Sequence, residues 1–350
     1  MSKVLIIGAN GYFGSRLFEY LTKKRIDCEG CDINYFKNCN LYEKNKKKII
    51  FSCASNLNEN FLKRYKTVIA FAGFSNNPIF RKEERNFHDN EYKFLTKIAK
   101  ICKKRGIRYI FPSSCSLYGK ALKNKLLNEK SKLNPITHYS KNKRKIEKYL
   151  VKISNKKFRP IILRYSTLYG ISEKMRFDIV INMFCGSAIT SKKIELNSDG
   201  LVYRPFLEIS DACNAIYKVL KKKGQVKEQI FNVGSNKDNY RIIDVAKMIN
   251  KKIYNSKIVF LKENKKLVTD NLIKKGKDKR NYKVNFNKFC KTYNFKVNYN
   301  LNSGINKLLI DLKKLKLSKS EFNSVKFYRL QYLKNLIYLK KLDRNFQWKR

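Results

Sequence analysis

The first fourteen residues constrain the fold more than any other stretch. A short apolar run, Val4–Ile7, ends in Gly8-Ala-Asn-Gly11-Tyr-Phe-Gly14 and passes directly into a helix-like segment over 11–24. Glycine at such a junction lets the backbone turn sharply and approach a pyrophosphate seated on the helix N-terminus. The next strand, 27–33, carries Asp32 near its end, where a carboxylate can bond the adenosine ribose hydroxyls and would repel a 2′-phosphate. That favours NAD over NADP. Gly8, Asn10, Gly11, Tyr12, Phe13, Gly14 and Asp32 are the candidate cofactor residues of this region.

Strand-like runs at 49–53, 67–72, 107–112 and 160–165 then alternate with helical patterns near 86–105 and 138–153. Such alternation predicts an α/β fold, a Rossmann-type doubly wound parallel sheet covered on both faces. The second half is less regular, with pieces near 177–184, 208–222, 230–233 and 242–250. The expected division is a dinucleotide-binding domain over 1–165 and a smaller C-terminal α/β substrate domain over 166–350, partly interleaved. The latter ends in a helical tail from Lys319 to Arg350, which interleaves aromatics with charges and is expected to cap the substrate domain.

Composition narrows the function classes. Hydrophobic residues make up 43%, enough for a core, and no uncharged run reaches the roughly 18 apolar residues of a membrane span. The N-terminus leads straight into the glycine-rich turn, so no signal peptide is read and a cytoplasmic location is expected. The net charge of +52 invites a polyanion partner, but it is spread evenly, with +26 on residues 1–200 and +26 on 201–350. Lys supplies 62 of the 79 cations, whereas phosphate-reading surfaces favour the bidentate fork of Arg. A solvated basic surface with no specific nucleic-acid partner follows. The nine cysteines are scattered; Cys28 and Cys31 form a CxxC without a second pair at zinc spacing, so no metal site is expected.

Tyr139-Ser-Lys-Asn-Lys143 places a tyrosine and a lysine four apart on one helical face. A free tyrosine ionises near pH 10, and an ammonium held beside it favours the phenolate, which suits a proton shuttle to a sugar hydroxyl or carbonyl. Ser113-Ser-Cys-Ser-Leu-Tyr-Gly119 follows the 107–112 strand, and a serine there can polarise the reacting oxygen.

With these motifs, and with Phe71-Ala72-Gly73, Leu163-Arg-Tyr-Ser-Thr-Leu-Tyr-Gly170, Arg204-Pro-Phe-Leu-Glu-Ile-Ser-Asp211 and Phe231-Asn-Val-Gly234, the chain resembles an extended short-chain dehydrogenase/reductase of the NAD-dependent epimerase/dehydratase family along essentially its whole length. The resemblance implies Ser114, Tyr139 and Lys143 as the catalytic triad, accompanied by Asn90, with Phe71, Ala72 and Gly73 lining the dinucleotide. Arg204 and Arg280 would hold a substrate diphosphate, and Asn182 is a further substrate-contact candidate. Lys143 would hold both Tyr139 and the nicotinamide ribose. The implied partner is a nucleotide-diphosphate sugar. Relatives of this kind often pair through a helical face, which makes a homodimer an expectation of the same origin.

Departures from the family pattern matter as well. Cys115 and Ser116 stand where 4,6-dehydratases carry acidic residues, which argues against elimination of water across C5–C6. Cys53-Ala-Ser-Asn56 lacks the acidic residue that usually meets the adenine after the third strand; Thr167 and Pro205 replace an asparagine and an aspartate. His138, about 100° around the helix from Tyr139, and Cys115 read as structural rather than as extra acid/base groups. The leading expectation is an NAD-dependent nucleotide-sugar 4-epimerase working through a keto intermediate, of use in polysaccharide precursor synthesis by family analogy. An NAD(P)H-dependent nucleotide-4-ketosugar reductase is the enzymatic alternative. A non-catalytic dinucleotide sensor or basic-surface binding protein is the alternative of another class.

Overall fold

In chain order the first part of the molecule runs β1 (Val4–Ile7), α1 (Tyr12–Lys23), β2 (Cys28–Asp32), β3 (Ile49–Phe51), α2 (Glu59–Leu62) and β4 (Thr67–Ala70). It continues through α3 (Arg81–Arg105), β5 (Arg108–Ser114), β6 (Leu126–Leu127), α4 (His138–Lys152) and β7 (Ile161–Tyr165). The remainder comprises β8 (Thr167–Tyr169), α5 (Val180–Ser191), β9 (Lys193–Leu196), β10 (Tyr203–Glu208), α6 (Ile209–Lys221), β11 (Ile230–Val233) and β12 (Asn239–Arg241). After these come α7 (Ile242–Asn250), β13 (Lys257–Phe260), β14 (Lys283–Val284), α8 (Asn287–Tyr293), α9 (Leu301–Lys314), α10 (Lys319–Phe322) and α11 (Arg329–Tyr338). This computed structural model describes residues 3–42, 49–71, 73, 81–121, 126–224, 226–227, 229–261, 280–343 and 346–349, with 81–87 described in backbone only.

Seven strands form one parallel sheet in the order β3-β2-β1-β4-β5-β7-β11. This is the doubly wound sheet that the alternating pattern predicts. Its strands read as continuous apolar runs because both faces are covered. Val4, Ile6, Ile69, Ile110 and Leu163 meet α1 and α6 on one face. Leu5, Ile7, Val68, Phe111 and Ile162 meet α3 and α4 on the other. Strand order reverses between β1 and β4, and such a switch point leaves a crevice at the carboxyl ends of the strands. β11 comes from the second half of the chain and pairs with β7, so the chain returns to the first sheet after leaving it.

The second half builds its own core from α5, α7 and α9 over the small sheet β12-β10-β8 and the β13-β9 pair. Tyr12 from α1 is inserted into that core, and its hydroxyl donates to the Gly170 carbonyl at 2.7 Å, which ties the two halves together. The tail divides its aromatics between two places. Phe322, Phe327 and Tyr328 join the core of the second half. Tyr332, Leu333, Leu336, Leu342 and Phe346, with Trp348 against them, instead cover Tyr35, Phe36 and Cys39 in the loop after β2. The expectation that the whole tail caps the second half is therefore corrected. The apolar loop after β2 offers α11 a face to bury.

A buried polar network joins α4 to the sheet. Glu147 on α4 receives the Arg164 guanidinium from β7, with Nη2 to Oε2 at 2.7 Å and Nε to Oε1 at 3.0 Å, and a hydroxyl from Ser113 on β5 at 2.6 Å. Arg164 also donates to the Tyr118 hydroxyl at 3.3 Å, and Tyr118 donates to Asn232 of β11 at 2.8 Å. Breaking one partner of a buried pair leaves an uncompensated charge, whereas replacing both by apolar groups can be nearly neutral. Glu147→Ala is expected to lose about 3–5 kcal/mol of unfolding free energy in urea titration, and Glu147→Leu/Arg164→Met to recover most of it.

Candidate active site

The chemistry-bearing side chains stand at the carboxyl end of β5 and on the first turns of α4. Thr137 caps α4, accepting the Ser140 amide at 3.1 Å, while the Ser140 hydroxyl accepts the Thr137 amide at 3.1 Å. This reciprocal box fixes the turn that carries Tyr139. Tyr139, Lys143 and Glu147 follow at intervals of four, so they share one face of the helix. Glu147 is pinned to β5 and β7, and that contact sets the row above it against the strand end. Ser114 closes β5, where its hydroxyl accepts the Ser116 amide at 3.1 Å. Tyr139 is half-buried in the first turn of α4, and the Lys143 ammonium lies 5.7 Å from its ring centre and 4.6 Å from that of Phe111.

Glu91 is the residue that sequence reasoning missed. Its carboxylate is fully buried, 3.5 Å from Lys143 Nζ, and accepts the Asn142 amide at 3.0 Å. His88 Nδ1 lies 3.2 Å from the same carboxylate. A Cβ on Gly73 would meet Glu91 Oε1 at 2.1 Å, so the carboxylate adjoins the segment following β4. Asn90, the expected companion of the triad, is exposed on α3, one residue round the helix from the side that faces Lys143. The signal was present in the sequence: Glu91, Leu95, Ile98 and Cys102 fall on one buried stripe of α3, and an acid on such a stripe needs a partner.

The glycine-rich turn fits a dinucleotide. Gly8 holds φ +89°, and a Cβ on Gly14 would lie 2.1 Å from the Gly8 carbonyl oxygen. No side chain caps the N-terminus of α1, and its first turn holds no acid, so its amides suit an anion. Asp32 accepts the Asn10 amide at 2.8 Å and the Asn34 amide at 2.7 Å. Burial pushes its carboxyl up from the usual range, opposed by those two amides and by the charges of Lys174 and Arg329. Phe13 packs tilted against Phe71, with ring centres 4.6 Å apart, and the Phe71 amide bonds the Ile7 carbonyl, so β1 and β4 end together at the turn. The Tyr12 hydroxyl points away into the second core. Ala72 lies outside the described residues.

Arg204 and Arg280 are brought together. The Arg204 guanidinium donates to the Arg280 carbonyl and to the Tyr203 carbonyl, and stands 5.0 Å from the Tyr282 ring centre. Asn182 is fully buried: its oxygen accepts the Gly170 amide at 2.9 Å, and its amide donates to the Tyr12 hydroxyl and the Arg176 carbonyl. These bonds tie α5 to α1 and hold the side chain inside the core. His138 is exposed, while the buried Cys115 thiol donates to the Arg164 carbonyl at 3.2 Å, with burial pushing its ionisation far up. Among the described residues no group of three or more His, Cys, Asp or Glu stands together as metal ligands.

A parallel sheet with a glycine-rich turn at its switch point, and a tyrosine–lysine pair beside it, defines a dinucleotide-dependent class. The sequence profile of the NAD dependent epimerase/dehydratase family matches residues 4–234, and the chain belongs to that family. It is 28% identical over 273 residues to a dTDP-D-glucose 4,6-dehydratase of Dictyostelium discoideum, covering 71% of this chain and 62% of that one. This chain therefore spans less than two thirds of that relative. It is also 24% identical to a UDP-glucose 4-epimerase of Lactobacillus helveticus, covering 71% and 81%. The fold is that of a UDP-glucuronic acid 4-epimerase from Bacillus cereus, solved with UDP-glucuronic acid and NAD, at TM-score 0.73 and 21% identity over 89% of this chain and 99% of that one.

The Glu91–Lys143 contact can be tested without any substrate. A double-mutant cycle of Glu91→Gln and Lys143→Met, read by chemical unfolding of the NAD-free protein, is expected to give a coupling energy of about 0.5–3 kcal/mol. A coupling of zero would show that the two charges do not sense each other.

Proposed function

We propose that this chain is an NAD-dependent epimerase that inverts a carbinol centre, C4, of a nucleotide-diphosphate sugar. The observation that supports the reading is the row Tyr139, Lys143 and Glu147 on α4, whose last member is bonded to Ser113, the neighbour of Ser114 at the end of β5, and to Arg164. Ser114 would hydrogen-bond the reacting oxygen. Tyr139 would take the proton from that oxygen and later return it, and Lys143 would hold the phenolate and the nicotinamide ribose. Bound NAD supplies the reversible two-electron oxidation of the sugar carbon. Arg204 and Arg280 would bind the diphosphate, leaving the sugar free to present either face to the cofactor.

The 4,6-dehydratase reading suggested by the Dictyostelium relative has less support at this site. Elimination needs a carboxyl group beside the serine. The two positions that supply one in such enzymes are the buried Cys115, whose thiol bonds the Arg164 carbonyl, and the buried Ser116.

The test is incubation of the purified protein with a panel of nucleotide sugars and their 4-keto derivatives, with NAD or NADH, and separation of products by mass-resolved chromatography. A product of unchanged mass without net NADH consumption is expected. A product two hydrogens heavier, formed as NADH disappears, would make it a ketoreductase, and loss of water would make it a dehydratase. Tyr139→Phe should lower turnover by about 10²- to 10⁴-fold while NAD still binds. Unchanged turnover would remove Tyr139 from the mechanism.

A further inference from the structure

The tail and the loop after β2 enclose a cavity of about 370 Å³, lined among others by Asn34, Tyr35, Lys37, Phe51, Lys341 and Trp348. Its position is set by the cofactor turn. Asp32 and Phe51 are register partners in neighbouring parallel strands, so their side chains leave the sheet on the same face. Asn34 is bonded to Asp32 through its backbone amide and to the Asn10 side-chain amide through its own side chain, so the cavity begins two residues beyond Asp32, the candidate partner of the adenosine ribose. Phe51 is 62% exposed, an unusual state for a phenylalanine at the end of a sheet strand.

The tail is fixed in this place by several independent bonds. The Trp348 indole donates to the Ile33 carbonyl at 2.7 Å, and the Tyr35 hydroxyl donates to the Phe346 carbonyl. The Arg329 guanidinium lies 4.1 Å from the Phe36 ring centre. Leu342 and Trp348 form a bridge that turns the chain end back over the loop. Aromatic faces with ammonium groups beside them suit a purine, which stacks on a ring and accepts hydrogen bonds at its ring nitrogens. The segment after β3, Cys53-Ala-Ser-Asn56, offers no carboxylate for the adenine amino group.

We propose that the C-terminal tail completes the cofactor site: the adenine of NAD enters this cavity, with Trp348 as one of its walls. The inference rests on NAD binding and not on which sugar reaction follows. Trp348 is the only tryptophan in the chain, so its fluorescence reports on the cavity directly. Saturable quenching of its emission is expected with AMP and with NAD, and none with nicotinamide mononucleotide. By calorimetry, Trp348→Leu should weaken NAD about fivefold to a hundredfold, with Trp348→Phe restoring most of the affinity, since base stacking is worth about 1–3 kcal/mol. Circular dichroism of both variants should match the parent. NAD and AMP binding by calorimetry with silent tryptophan emission, and an affinity within twofold in Trp348→Leu, would overturn the proposal and leave NAD dependence standing. Failure of NAD to bind by calorimetry at all would overturn both.

Discussion

The buried pair between Glu147 and Arg164 is the contact on which the geometry of the site depends. Glu147 sits at the third position of the row Tyr139, Lys143, Glu147, so whatever fixes its carboxylate fixes the rotation and height of α4 over the sheet. Arg164 holds that carboxylate by two parallel bonds, and Ser113 holds it from the strand whose next residue is Ser114. An apolar contact could slide by a fraction of a turn. A bidentate guanidinium–carboxylate pair has one geometry, and in a dry interior it must be satisfied completely. The helix is fixed at its other end by the Thr137–Ser140 capping box, so the intervening two turns have little freedom.

A second charge contact operates above the first. Glu91 comes from α3, crosses to α4 and meets Lys143, which also lies over the Phe111 ring. Asn142 occupies the other carboxylate oxygen, so the ammonium faces Glu91 Oε1. Through this contact α3, α4 and β5 converge on one lysine. The site is assembled from charges that would each be costly to bury alone and are tolerable only together.

Much of the first half was legible because its strands are buried on both faces and therefore read as short apolar runs between turn signals. The glycine-rich turn was legible because sterics leave few residues that can stand at Gly8 and Gly14. Tyr139 and Lys143 were singled out by their spacing of four taken together with the serine-rich segment that follows β5. Glu91 was not, because the resemblance pointed to its neighbour Asn90. Asn182 read as a substrate contact, yet the structure uses it to hold Tyr12 and Gly170. The destination of the tail was also hidden: Trp348 bonds Ile33, some three hundred positions away, and no local pattern encodes a contact of that range.

In the proposed reaction one sugar carbon is oxidised and then reduced on its other face at one site, with Tyr139 carrying the proton. The measurement that tests it most directly uses the nucleotide sugar that turns over, deuterated at the inverted carbon, in unlabelled water. Mass spectrometry of the fragment containing that carbon is expected to find the deuterium retained in the epimer, even with excess unlabelled NADH present. Loss of the label to the cofactor pool or to solvent would contradict the account, because the carbon would then be reduced by something other than what it had just given up.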